Sequence, residues 1–213
     1  MMIEGTPDFD AYRRRKQAQA DQELGELMAT FHDWASYHVN LREKVRAKHI
    51  FSEIVSLPKE IIDGSPWEKV FEDWFLFDYV TIIGTRNVDM FLKKEATKLK
   101  PAQTQLGAII LTAGLEPYRI LKKKGNMMEA VKTDNGQTKQ FKTVDRSVTS
   151  EYFVCRSIQC GYKDRMISPY IPIDPPQEEI KKWRQELADR EKDNQQFRFI
   201  KEYGIRWLRF AYI

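Results

Sequence analysis

The stretch GSPWEKVFEDWFLFDY (Gly64–Tyr79) decides how the first half of the chain is read. It sets Trp67, Phe71, Trp74, Phe75, Phe77 and Tyr79 among Glu68, Glu72, Asp73 and Asp78. Such a segment is either a site that holds a partner or the core of a domain. Trp67, Val70, Phe71, Trp74 and Phe75 recur at i, i+3, i+4, i+7 and i+8, the spacing of one apolar helix face. Glu68, Lys69, Glu72 and Asp73 fall on the other face. Ser65 as N-cap, Pro66 at the first helical position and Glu68 closing a capping box predict a sharp helix start. From Trp74 to Phe77 the helix is apolar all round and is expected to be buried on most sides. The stretch therefore reads as scaffold. Trp67, Phe71 and Trp74 remain the alternative, a protein interface if their rings are exposed.

Upstream, residues 1–8 read as a loose tail. From Asp10 to Ala47 helix formers dominate, with the basic run Arg13–Lys16 on the first turns. Leu24, Leu27, Met28 and Phe31 keep the helical period, and Trp34, His38 and Leu41 continue it, so one long helix or a helical hairpin is expected. Downstream, Thr85 is expected to cap a helix running to about Lys98. Pro101 opens another, with Leu106, Ile109, Ile110 and Ala113 inward, ending near Gly114.

Beyond residue 115 the pattern changes. Tyr118–Leu121 is β-prone. Met127–Thr133 and Gln137–Val144 flank Asp134-Asn135-Gly136, a hairpin turn, because Asn and Gly tolerate positive φ. Tyr152–Ile158 is rich in β-formers. Met166–Ile173 reads as a strand made irregular, or confined to an edge, by Pro169 and Pro172. Asp174-Pro175-Pro176-Gln177 starts a helix with Ile180, Trp183 and Leu187 on its apolar stripe. In the last segment Arg198, Lys201, Arg206 and Arg209 share one side of a helical wheel, interrupted by Glu202 and Ile205. Phe199, Ile200, Tyr203, Trp207, Phe210 and Ala211 share the other, and a closing strand is an alternative there. The expected class is α+β: a helical part (1–115), a small antiparallel β-sheet or half-open barrel of five segments (116–174), and C-terminal helices (175–213).

Hydrophobic residues make up 42% of the 213-residue chain and charged residues 31%. No apolar run approaches the ~20 residues of a transmembrane helix, and the N-terminus lacks a signal-peptide apolar region. A cytoplasmic protein with no membrane partner is expected. Cys155 and Cys160 read as free thiols. Net charge is +4, but it is unevenly placed. From Glu60 to Asp78 six acidic residues face one lysine. From Pro117 to Arg146 eight basic residues face three acidic ones. The two segments could neutralise each other within the fold.

The order W…FxDWFLFD, GT…DxFL and L…EPYRIL, followed by a hairpin and a strand, resembles a segment of bacterial proteins that often carry a C-terminal SEC-C zinc motif. Here it is carried by Trp67, Phe71, Asp73–Asp78, Gly84-Thr85, Asp89, Phe91-Leu92 and Glu116–Leu121, with Met127–Ile158 corresponding loosely. The resemblance implies helices followed by a small β unit and transfers no activity. The chain has no Cys/His cluster at its end, so the zinc motif itself is absent.

Walker-type and dinucleotide-binding glycine loops, HExxH and GxSxG are all missing from the sequence. His32 and His38 are badly spaced for one metal, and Asp73 and Asp78, five apart on a helix, are expected to diverge. No cofactor or metal is expected. The expectation is a non-enzymatic binding protein of bacterial or bacteriophage type that contacts nucleic acid or an acidic protein surface. Its charge donors would be Lys122, Lys123, Lys124, Lys139 and Lys142 on the β unit and Arg206 and Arg209 on the terminal helix, with aromatic neighbours available for stacking. A protein–protein adaptor using residues 67–79 is the second reading, and an enzyme with a metal–carboxylate site the third.

Overall fold

The computed structural model describes residues 8–142, 150–191 and 195–212. Residues 1–7 of the expected tail, 143–144 of the expected hairpin strand, Arg146 and residues 192–194 of the polar stretch lie outside them. Six helices come first: α1 (Phe9–His38), α2 (Leu41–Val55), α3 (Lys59–Ile62), α4 (Trp67–Phe77), α5 (Asn87–Glu95) and α6 (Pro101–Thr112). Of the two expected forms, one long helix or two helices in a hairpin, the segment takes two helices, α1 and α2. Its break is marked by Asn40, whose side chain accepts from the Arg42 N–H at 2.9 Å and caps α2.

α4 confirms the apolar stripe but not its cap. The Glu68 N–H donates to the Gly64 carbonyl at 3.0 Å, and Pro66 is the N-cap residue without a side-chain bond. A backbone turn therefore satisfies the amide that Ser65 was expected to hold. Thr85 does not cap α5 either; Asp89 accepts from the Arg86 N–H at 3.2 Å instead. On α6, Leu106 and Ile110 are buried as expected, whereas Ile109 is 40% exposed.

Trp67, Phe71 and Trp74 are 6%, 0% and 5% exposed. Phe51 of α2 meets Phe71 edge-on at 5.5 Å and Trp74 at 5.4 Å. Phe31 of α1 contacts Phe77 at 5.2 Å and Phe91 at 5.0 Å. Burying a ring of this size is worth roughly 1.5–3 kcal/mol, so this stripe holds α1, α2, α4 and α5 together. Shielded in the monomer, the 67–79 stretch is core.

Six antiparallel strands follow: β1 (Leu115–Lys124), β2 (Met127–Lys132), β3 (Thr138–Lys142), β4 (Tyr152–Cys160), β5 (Lys163–Met166) and β6 (Ile171–Ile173). The expected strand 166–173 is two, separated around Ser168–Tyr170. Their order is β3-β2-β1-β4-β5, with β6 also on β4. The hairpin turn forms as read: Asn135 Oδ1 accepts from the Gln137 N–H at 2.9 Å, and Gly136 has φ 73°. The sheet curls until β3 meets β5, where the Gln140 N–H donates to Asp164 Oδ2 at 3.2 Å. The result is a nearly closed barrel.

β4 is buried on both faces. Phe153 and Cys155 join Tyr118, Met128, Ala130 and Phe141 inside the barrel. Tyr152, Val154, Ile158 and Cys160 face the larger core built from the helices. That core also takes in Ile180, Trp183 and Leu187 of α7 (Gln177–Glu191) and Phe199 and Ile200 of α8 (Gln196–Tyr203). The chain ends in a 3-10 turn, Gly204–Phe210, and Ala211 bridges to Ile173. A Cβ on Gly204 would press into the Leu115 carbonyl oxygen, so only glycine lets this turn sit against β1.

Candidate nucleic-acid interface

A β-bulge on β1 sets the charge pattern of the sheet. Ile120 opposes Ala130, but Lys122, not Leu121, opposes Glu129. The extra residue shifts the alternation by one, as bulges do. Ile120 packs toward the barrel core, whereas Lys122 and Lys124 share the outer face with Glu129 and Met127. Met127 in turn opposes Lys142, so Lys124, Met127 and Lys142 form one row across three strands. At ~4.8 Å per strand the two lysine backbones stand about 10 Å apart. Lys122, Lys124 and Lys142 are exposed. Lys123 is also exposed and lies in register with Met128 and Phe141, on the inner side of the alternation.

Lys139 is turned into the barrel. Its Nζ donates to Ser157 Oγ at 2.9 Å and lies 4.0 Å from Asp164. The same Ser157 Oγ meets the Tyr118 hydroxyl at 2.8 Å. Nearby Lys132 pairs with Glu116 and, at 3.6 Å, with Asp134. Burial raises the Glu116 carboxyl and pushes the Cys155 thiol well up, which leaves that thiol un-ionised and inert.

Where β3 and β5 meet, the outer face is indented by a groove of about 350 Å³. Met127, Thr138, Gln140 and Lys142 form one wall; Tyr162, Lys163, Asp164 and Arg165 form the other. Tyr162 is 60% exposed. Helix α1 fixes the second wall. Gln17 Nε2 donates to the Cys160 carbonyl at 3.0 Å, and Gln17 Oε1 accepts from the Tyr162 N–H at 2.8 Å. Asp21 receives Arg165 through two bonds, at 2.8 and 2.7 Å, and the Arg165 guanidinium holds its carboxyl below the usual range. Sequence reading missed Tyr162, Lys163 and Arg165; the only signal was a basic, aromatic turn between two β-prone runs.

Arg206 and Arg209 sit elsewhere. They line a small cavity of about 60 Å³ with Glu179, Glu186, Trp183 and Trp207. Arg206 lies 4.0 Å above the Tyr203 ring. Gly204 abuts the first residue of β1, and Lys124 is the last, about 30 Å of extended strand away. The basic β face and the terminal arginines are not one surface. Lys201, placed with those arginines on the wheel, is 6% exposed. The helix gives way to the 3-10 turn at Gly204, so the wheel does not extend to Arg206 and Arg209.

Asp73 and Asp78 converge instead of diverging. Asp78 is the C-cap of α4, with φ −121°, and has left the helical path. Arg156 of β4 reaches both carboxylates: Asp73 at 3.0 Å, and Asp78 at 3.0 and 2.7 Å. It also donates to the Ala113 carbonyl at 2.8 Å and lies over the Phe77 ring at 4.9 Å. Lys201 Nζ donates to the Phe77 carbonyl at 3.3 Å and stands 3.7 Å from Asp78. Desolvation raises the Asp73 carboxyl and lowers Lys201 to about 8. The acidic segment is therefore held by Arg156 and Lys201, and by Lys48 on Asp63 and Lys44 on Glu72. None of these four belongs to the 117–146 segment, so the outward lysines are not consumed by it.

All three histidines are exposed, and among the described residues no three His, Cys, Asp or Glu side chains are grouped to hold a metal ion. No helix among the described residues is long and apolar enough to cross a membrane. A scan of family models and searches of curated proteins and of solved structures each give no match to this chain.

Proposed function

We propose that the chain is a binding protein that contacts the phosphate backbone of nucleic acid through the outer face of its barrel. The observation that carries this reading is the outward row Lys124–Met127–Lys142 with Lys122 beside it, Lys122 and Lys124 being brought to the outer face by the β1 bulge. Three ammonium groups on the sheet, with Glu129 the one carboxylate among the described residues of the rows they occupy, favour a polyanion. Lys123 lies at the same edge. Lys139 supports the barrel wall, and Arg206 and Arg209 are too far from the row to share a short ligand with it.

Phosphate contacts release counterions, so binding must weaken steeply with salt. Three contacts give a slope of log K against log salt of about −2 on a single strand. Titrating labelled oligonucleotides from low to moderate salt measures it; no binding at low salt removes the proposal.

A further inference from the structure

We infer that the groove between β3 and β5 is a single-strand subsite, in which one base stacks on Tyr162 while neighbouring phosphates sit on Lys142 and Lys163. This rests on the nucleic-acid reading above and adds to it the form of the ligand. The groove's volume, about 350 Å³, is at the lower end of small-ligand sites and matches one nucleotide unit rather than a helix. Tyr162 is 60% exposed and belongs to the turn that α1 pins through Gln17. Its ring is thus an apolar platform on a fixed backbone, with Lys163 next to it and Lys142 across the groove.

Every base has a π face, so such a platform takes any sequence but requires the base to be unpaired. A duplex keeps its bases stacked inside and offers the groove only its backbone. Asp164, the one carboxylate among the described residues lining the groove, is occupied: it accepts from the Gln140 N–H at 3.2 Å and faces Lys139 at 4.0 Å. Arg165 is committed to Asp21 and serves as wall. Met127 continues the groove toward Lys124, so a strand leaving the subsite runs onto the lysine row.

The test is fluorescence anisotropy of a labelled oligo-thymidine 15-mer and of a duplex of equal length against the full chain and its variants. The single strand is expected to bind more tightly. Tyr162→Ala is expected to weaken it about tenfold, Tyr162→Trp to retain it, and neither to change duplex binding. If Tyr162→Ala binds like the parent, or the duplex binds equally well, the stacking subsite is wrong. The backbone reading then survives only if Lys122→Ala/Lys124→Ala weakens both ligands. If the parent binds neither, or if polyglutamate displaces the strand as well as equal charge of unlabelled oligonucleotide, both fall. Tyr162 is exposed, so loss of folding does not confound these variants; circular dichroism checks it.

Discussion

Arg156 grips Asp78 through both of its terminal guanidinium nitrogens, at 3.0 and 2.7 Å, and joins the end of α4 to the middle of the barrel. The arginine is fully buried, and Asp73 completes the cluster. Its guanidinium is held ionised by the two carboxylates. Replacing one partner leaves uncompensated charge in the core, at a cost of about 3–5 kcal/mol. Arg156→Met is expected to lower the unfolding free energy by that amount in a urea titration. Adding Asp73→Asn and Asp78→Asn is expected to recover part of it, because the buried charges go too.

Lys201 makes stability depend on alkaline pH. Its folded value is about 8 against an ordinary 10.5, so between these the unfolded chain binds the extra proton. Its contribution is complete above 10.5 and is lost as pH falls through 8. Unfolding free energy measured from pH 7.5 to 10 should rise for the parent relative to Lys201→Met. Parallel curves would show that Lys201 is not depressed.

Gly204→Ala forces a methyl group against the Leu115 carbonyl. The turn has no flexible side-chain neighbour there to yield, so a loss of about 1–3 kcal/mol is expected. Amide exchange should show the loss of protection concentrated in 196–210.

Gln17 ties α1 to the β4–β5 turn by two hydrogen bonds, and it is 6% exposed. Gln17→Ala strands the Cys160 carbonyl and the Tyr162 amide and should cost about 1–3 kcal/mol. The same variant should weaken single-strand binding by loosening the Tyr162 wall, whereas Arg206→Ala should leave it unchanged.

All five tryptophans, Trp34, Trp67, Trp74, Trp183 and Trp207, are 7% exposed or less. Acrylamide should therefore quench native fluorescence weakly and the urea-unfolded chain strongly. Efficient native quenching would return Trp67 and Trp74 to the surface.

What could be read from sequence was whatever one element decides alone. The stripe from Trp67 to Phe75, the Asn135-Gly136 turn and the start of α7 each follow from local spacing, and each stands where it was expected. Several of the misses come from segments that meet only in the fold. A helical wheel separates Asp73 from Asp78, but the chain leaves the helix at Asp78, and Arg156 arrives from 78 residues away. A wheel exposes Lys201, but its ammonium reaches inward to the Phe77 carbonyl at the end of α4. Strand alternation from Ile120 would turn Lys122 inward; one bulged residue reverses it. The groove at Tyr162 exists only because the sheet curls until its first and last strands touch.

β4 faces two cores at once, and this bears on how the protein can be divided. A fragment cut at 116–174 would keep the barrel interior of Phe153 and Cys155 but leave Tyr152, Val154 and Ile158 bare. It would also strand Arg156 on the bare side without its carboxylates. The helices alone would be left with Asp73 and Asp78 open in the same way. The seam that looks most severable in the sequence, where helix gives way to strand, is where a cut would bare apolar surface and part Arg156 from its carboxylates.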